Sequence, residues 1–288
     1  MVRRLSFLLA LCFIVMLLYF WTPLYGSPEG GYTRVMSPVE AGTAPEPPDP
    51  RQPNMEMVWD TAIIRDPSPD LATHGRTGTS GRRIALTFDD GPDPRTTPRV
   101  LATLRKYDLK ATFFVLGRQV DKRPGLLRRI VEEGHTIGNH TYNHTDMSDL
   151  SRKRMRAELR HTQEAVDDAL GYHYTMVLMR PPYGNPYLGG SDALPEFQKV
   201  AREHRLFPVL WTVDPRDYLL GGHPEDVVRG VVRADETRRK GEKDQVLLLH
   251  DTHRQTAYAL PQIIDHYERS GRRFADVGEL LAEKYAGP

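Results

Sequence analysis

The chain has 288 residues, 39% of them hydrophobic and 27% charged, with a formal net charge of +1. That length and apolar content can bury a sizeable core, as one large domain with an appendage or as two smaller ones. The near-zero charge leaves little excess for a polyanion, so nucleic acid is not an expected partner, and a single cysteine, Cys12, excludes an intramolecular disulfide, a thiolate metal cluster and, from its terminal position, cysteine catalysis.

Arg3 and Arg4 precede an uncharged apolar run from Leu5 to Trp21 that ends in aromatics. Positive-inside logic puts the first residues in the cytoplasm and the remainder across the membrane. "TPLYGS" offers no clean small-x-small cleavage site, so residues 1–26 are expected to be an uncleaved signal anchor in preference to a cleaved signal peptide. Leu11 before Cys12 is too bulky for lipoprotein processing. Residues 27–81, with "GTAPEPPDP" and "GRTGTSGRR", read as a linker; the island Asn54 to Ile64 could dock on the following domain.

From residue 82 short apolar runs alternate with amphipathic stretches. Strands are expected at 84–88, 111–117, 135–139, 175–179, 206–213, 245–250 and 272–277. Helices are expected at 96–107, 123–133, 151–170, 193–204, 224–240 and 258–270. In the third helix Met155, Leu159, Val166 and Leu170 form an apolar stripe, with Ser151 at the N-cap and Gly171 as the stop. The cluster Arg238, Arg239 and Lys240 reads as a solvated helix end. Seven strand and helix units in alternation imply a parallel α/β sheet closing into a barrel. An open doubly wound sheet would want a Gly-rich phosphate turn after strand one, and "FDDGPDP" is acidic instead.

In parallel barrels the reactive residues lie just past the carboxyl ends of strands. Here those positions hold Asp89 and Asp90 after strand one, His140 and His144 after strand three, and Arg180 and Tyr183 after strand four. Asp214 and Asp217 follow strand five, and His250 ends strand six. Alternation along a strand would send Asp89 and Asp90 to opposite faces, but the break at Gly91 and Pro92 allows both carboxylates into one site. His140 and His144 could face one point if the backbone made a helical turn between them. Alone, "DDGP" is a turn, H-x3-H a surface pair and "RPPYG" a rigid loop; their joint occurrence at one barrel edge favours a functional site.

The ordered set "TFDDGP", "HTYNH", "RPPYG", "DPRDY" and "LLLHD" resembles the five motifs of NodB-type polysaccharide deacetylases, carbohydrate esterase family 4, over residues 82 to 285. The resemblance implies a distorted (β/α)7 barrel and one divalent metal ion, zinc by preference, with cobalt or a similar ion as the alternative. By position, Asp90, His140 and His144 match the metal ligands, Asp89 the general base, and Arg180 the residue that orients it. The Tyr183 backbone N–H matches an oxyanion donor, His250 the general acid and Asp217 the carboxylate that tunes it. Pro182, Tyr183, Tyr218 and Leu248 would border the substrate. Tyr218 stands where the family usually has Trp.

The implied activity is hydrolysis of acetyl groups, foremost the N-acetyl of N-acetylglucosamine units in peptidoglycan or chitin-like polymers, with O-acetyl xylan also within the family's range. The expected arrangement is a monomer, membrane-anchored, with its catalytic domain (82–288) outside the cytoplasm. Other classes fit less well. No G-x-S-x-G elbow is present for a serine hydrolase. A glycosidase using Asp89 and Asp217 would leave His140 and His144 unexplained. The non-enzymatic alternative is a degenerate carbohydrate-binding barrel tethered to the membrane.

Overall fold

The structure, a computed structural model, describes residues 82–236 and 244–286. The expected membrane segment, the linker with its 54–64 island, and the Arg238–Lys240 cluster lie outside the described residues. Among the described residues no helix is long and apolar enough to cross a membrane.

Among the described residues seven strands are present: β1 Arg83–Asp89, β2 Thr112–Val115, β3 Thr136–Asn139, β4 Leu178–Met179, β5 Phe207–Pro208, β6 Gln245–His250 and β7 Arg273–Phe274. The helices are α1 Thr97–Lys106, α2 Gly117–Lys122, α3 Pro124–Glu132, α4 Arg152–Leu170, α5 Leu194–Glu203, α6 Pro224–Glu236, α7 Arg254–Arg269 and α8 Val277–Ala286. Proline in the first turn of α1, α3 and α5 fits its preset φ and missing donor. Gly171, at φ 77°, ends α4 in the left-handed conformation that suits glycine.

All pairings are parallel, in the order β5-β4-β3-β2-β1-β6. The chain leaving β5 then reaches β6: Thr212 N–H donates to Val246 O at 2.9 Å, Leu248 N–H to Val213 O at 3.0 Å, and Val213 bridges Leu247. The sheet is therefore curled, its two ends joined by a single bridge in place of a full ladder. The expected seventh place in a ring is not taken by β7, which pairs only with Arg83 and Ile84 at the start of β1.

Alternation along the strands sorts side chains to two faces. Ile84, Leu86 and Phe88 of β1, with Leu247 and Leu249 of β6, pack outward under the helices. Ala85, Phe114, Leu178, Phe207, Val209 and Val246 point into the concave side, whose amino end is filled by Val277, Leu280 and Leu281 around α8. The same parity carries Asp89 and His250 inward at the opposite end, and the register sets Asp89 directly beside His250 on adjacent strands.

Several boundaries differ from the sequence expectation. The strand expected to run to 117 stops at Val115, and α2 begins at Gly117, where the backbone approaches Tyr142 and Thr162 too closely for a side chain. β4 and β5 are two residues each, because the flanking chain bends to follow the curl and Pro208 lacks a ladder donor. Helix α7 starts at Arg254, four residues ahead of expectation. Helix α8 was not expected; Asp276 fixes its start, accepting from Gly278 N–H at 2.7 Å while tying down Thr112 and Thr136.

Candidate active site and metal centre

The carboxyl end of the curled sheet gathers the candidate residues. Asp89 closes β1 with its side chain inward, and Asp90 turns at φ 76°, outside the strand conformation. That left-handed turn, ahead of Gly91, is what brings both carboxylates to one place. His140 and His144 sit on a loop, not on the helical turn considered from their spacing: Thr141 has φ 68° and His144 φ 62°. Asn139 Oδ1 accepts Thr141 N–H at 2.9 Å, Thr141 Oγ1 accepts His144 N–H at 3.1 Å, and Glu158 of α4 accepts the N–H groups of Tyr142 (2.9 Å) and Asn143 (2.7 Å). Of the seven non-glycine residues with positive φ among those described, Asp90, Thr141, His144, Tyr183 and Arg216 fall in the site loops. Strain of this kind persists where surrounding contacts over-determine the backbone.

One ligand atom each from Asp90, His140 and His144 lies within 4.8 Å of the others. Asp90 Oδ1 is 3.4 Å from His140 Nε2 and 3.3 Å from His144 Nε2, longer than a charge-assisted hydrogen bond. This buried oxygen has no hydrogen-bond partner among the described residues. His140 Nδ1–H donates to the Arg180 carbonyl at 2.7 Å, which fixes the tautomer with the Nε2 lone pair facing Asp90. Burial opposes ionisation of Asp90, but the His140 and His144 imidazoles more than offset it and hold the carboxyl well below the usual range. Burial likewise disfavours charge on His140, yet Asp89 and Asp90 raise its pKa overall, a field that favours a positive species at this point. An orphaned carboxylate oxygen and two oriented imidazoles fit a divalent cation with open coordination positions.

Asp89 is held from behind. Arg180, fully buried, donates from Nη1 to Asp89 Oδ1 at 2.8 Å and to Thr87 Oγ1 at 2.9 Å, and spends Nε and Nη2 on the carbonyls of Val209 and Leu210. The guanidinium carbon lies over the Phe114 ring, 4.2 Å from its centre. The second Asp89 oxygen, Oδ2, is 3.7 Å from His140 Nε2 and so faces the ligand cluster.

Asp217, also fully buried, holds His250 by two bonds: Oδ1 accepts from Nδ1 at 2.7 Å and Oδ2 from the backbone N–H at 2.8 Å. Thr256 Oγ1 donates to the same carboxylate at 2.7 Å. Burial lowers the His250 pKa, but the Asp217 contact outweighs it, and with Asp89 and Asp90 the value is pushed up to about 9. Asp214 instead caps the turn through Arg216 N–H at 2.7 Å.

Tyr183 and Tyr218 flank the site. Tyr183, 61% exposed, meets the edge of His144 at 4.7 Å between ring centres, and Tyr218, 46% exposed, meets His250 at 5.3 Å. Pro182 is buried in the 182–184 turn, and Leu248 is buried on the inner face of β6. That turn closes through Gly184 N–H to Pro181 O and Asn185 N–H to Pro182 O; neither bond uses the Tyr183 N–H.

Glu158, Thr256 and Asp251 do not stand out in the sequence. Glu158 and Thr256 lie within helices with no motif to mark them. Asp251 could have been found in "LLLHD": it is buried, accepts from Thr97 Oγ1, and sits so close to Gly91 that no side chain fits there. Burial pushes its carboxyl up to about 7. His135 is structural: it packs on Phe113 and accepts Ala111 N–H through Nδ1.

The family described as "Polysaccharide deacetylase" matches residues 76–200. A peptidoglycan-N-acetylglucosamine deacetylase of Bacillus cereus is 37% identical over 207 residues, covering 70% of this chain and 89% of the relative. The chain belongs to the polysaccharide deacetylase family. A second deacetylase relative, the peptidoglycan-N-acetylglucosamine deacetylase PgdA of Listeria monocytogenes, is 33% identical over 88% of this chain, and the chain spans about half of that relative's length. Among solved structures, a pseudoenzyme of carbohydrate esterase family 4 from Bacillus anthracis superposes with a TM-score of 0.60 at 28% identity, covering 70% of this chain and 66% of that one. Family membership thus spans active and inactive proteins, and the residues present must carry the functional reading.

Proposed function

We propose that this chain is a metal-dependent deacetylase that hydrolyses the N-acetyl group of N-acetylglucosamine units in a cell-envelope polysaccharide. The observation that carries the reading is the convergence of Asp90, His140 and His144 around a carboxylate oxygen that has no hydrogen-bond partner among the described residues. The activities for which the Bacillus cereus and Listeria relatives are named support the substrate class.

Asp90, His140 and His144 would hold the cation; two imidazoles and one carboxylate suit zinc, with cobalt a workable substitute. When bound, that ion supplies a Lewis acid that makes water nucleophilic near neutral pH. Asp89 takes the proton from the water whose oxygen bonds to the acetyl carbon, and Arg180 keeps the carboxylate aimed. The Tyr183 N–H donates to the oxygen that gains charge in the tetrahedral species. His250, charged at neutral pH, gives its proton to the nitrogen as the C–N bond breaks, releasing acetate and a free amine. Asp217 stabilises the imidazolium before that transfer. Pro182, Tyr183, Tyr218 and Leu248 border the acetyl group and sugar.

In this reading residues 82–288 form the catalytic domain, carried outside the cytoplasm on the 27–81 linker and the 1–26 anchor, and acting as a monomer. The test is metal content of the purified protein, together with acetate release from peptidoglycan, chitooligosaccharides and acetylxylan. About one divalent ion per chain and release from an N-acetylated glycan are expected. Protein that binds no metal and releases no acetate would identify the non-catalytic alternative.

A further inference from the structure

Beyond the catalytic cluster, the mouth carries a second polar feature. Arg99 of α1 and Arg254 of α7 converge on one aromatic ring: their guanidinium carbons lie 3.7 Å and 5.2 Å from the centre of Tyr258. All three side chains are exposed. Neither guanidinium has a hydrogen bond or ion pair with any described residue. Like charges gathered on one ring repel, and stacking on an exposed aromatic returns only a modest attraction to each. Nearby acids do not balance them. Helix α1 has no acidic residue, Asp93 is taken by Arg95, Asp251 is buried against Thr97, and the first acid of α7, Asp265, accepts from Tyr107 at 3.1 Å.

The position of this pair matters as much as its charge. Arg99 and Arg254 occupy the first turns of helices that follow β1 and β6, the neighbouring strands that end in Asp89 and His250. Arg254 directly follows His253, whose ring is 5.7 Å from that of His250. The pair therefore stands on the rim of the catalytic mouth, on its β1–β6 side.

We propose that Arg99 and Arg254, held by Tyr258, form a docking patch for the carboxylates of an acidic glycan, so that the polymer reaching this site is a peptidoglycan-type strand bearing acidic substituents and not a neutral chitin-type chain. The inference rests on the deacetylase reading and narrows its substrate. Planar guanidinium groups match carboxylates by paired hydrogen bonds, and two of them spaced on a ring can engage carboxylates along a strand while an N-acetyl group sits at the cluster. The patch supplies binding and no chemistry, so its loss affects association and leaves the rate of the bound complex alone.

The experiment compares the full chain with Arg99→Gln/Arg254→Gln, and with Arg99→Lys/Arg254→Lys, which keeps the charge. Acetate release is measured on glycan strands carrying their stem peptides and on chitooligosaccharides, at low and moderate salt. Exposed ion pairs are individually weak, so KM for the acidic strands should rise about 3- to 10-fold in the Gln variant. There kcat should hold, the Lys variant should recover part of the loss, and KM for chitooligosaccharides should not move. Equal changes on both substrates, or none on either, would overturn the patch.

Co-sedimentation with insoluble peptidoglycan provides a readout independent of turnover. Salt-sensitive retention that the Gln variant loses supports the inference, and retention unaffected by the substitutions refutes it. Retention that disappears once phosphate polymers are stripped from the wall would assign the patch to phosphate and also refute it. If the wild-type chain releases acetate from neither substrate while the Gln variant still loses retention, the catalytic reading fails and the docking patch stands.

Discussion

Arg180 Nη1 donates to Asp89 Oδ1 across 2.8 Å, and neither side chain has appreciable contact with solvent. The same guanidinium also satisfies the carbonyls of Val209 and Leu210 on the chain leaving β5. Removing it leaves a buried carboxylate and two buried acceptors without donors. Arg180→Met should therefore destabilise the fold by about 3–5 kcal/mol, seen as a lower urea midpoint. Asp89→Asn keeps the shape and an acceptor for Arg180. It should fold, retain metal, and lose roughly 10²–10⁴-fold in acetate release; an Asn variant with unchanged turnover would remove Asp89 from the role of base.

The His250–Asp217 pair gives a pH dependence of definite sign. Burial works against the imidazolium, but Asp217 wins and pushes the pKa up to about 9. A general acid must carry its proton, so turnover should hold through neutrality and fall as pH rises through about 9. Because the folded pKa lies above the unfolded value of about 6.5, the stabilisation from this pair is complete below that value and is lost on passing about 9. Asp217→Asn removes the charge and should move the alkaline limb toward the ordinary imidazole range. Rate profiles of the two proteins check this, and an unmoved limb would assign the titration to another group.

The metal cluster separates ligands from the acid. Asp90→Ala and His140→Ala should lose both bound metal and activity, whereas His250→Ala should slow acetate release by orders of magnitude and keep its metal. Chelation of the wild-type protein should lower its melting temperature, since a ligand that binds only the folded state stabilises it by mass action. Metal content and thermal melts before and after chelation read both effects. Loss of metal from the His250→Ala protein would contradict the division of roles.

The motif positions were legible in the sequence because chemistry restricts them to few residue types: Asp89, Asp90, His140, His144, Arg180, Asp217 and His250 all reach the same end of the sheet. The strand alternation that sends Asp89 inward could be counted from "IALTFD". What could not be counted was backbone conformation. The spacing of His140 and His144 suggested a helical turn, yet left-handed residues at Thr141 and His144 do that work. The two-residue strands β4 and β5, and the side attachment of β7, depend on curl and long-range pairing that local patterning does not encode. Helix α8 was hidden because its cap, Asp276, is tied to Thr112 and Thr136, far away in sequence. The supporting residue Glu158 was hidden for the same reason.

Glu158 tests whether that support matters to function. Its half-buried carboxylate accepts from Tyr142 N–H, Asn143 N–H and Asn143 Nδ2, at 2.7–2.9 Å, and so anchors the middle of the loop whose ends are His140 and His144. His140 has a second anchor in the Arg180 carbonyl; among the described residues His144 has instead the loop's own bond to Thr141 Oγ1 and the edge contact with the exposed Tyr183 ring. Glu158→Ala should thus free His144 more than His140, while Asp90 is untouched. Groups that orient metal ligands typically contribute 10- to 100-fold in metal affinity, and a loss on that order is expected here, with acetate release recovering when metal is supplied in excess. Glu158→Gln keeps one acceptor oxygen and should fall between. A lower melting temperature with unchanged metal affinity would mean that Glu158 braces only the fold, and that the geometry at His144 is set by its Thr141 and Tyr183 contacts.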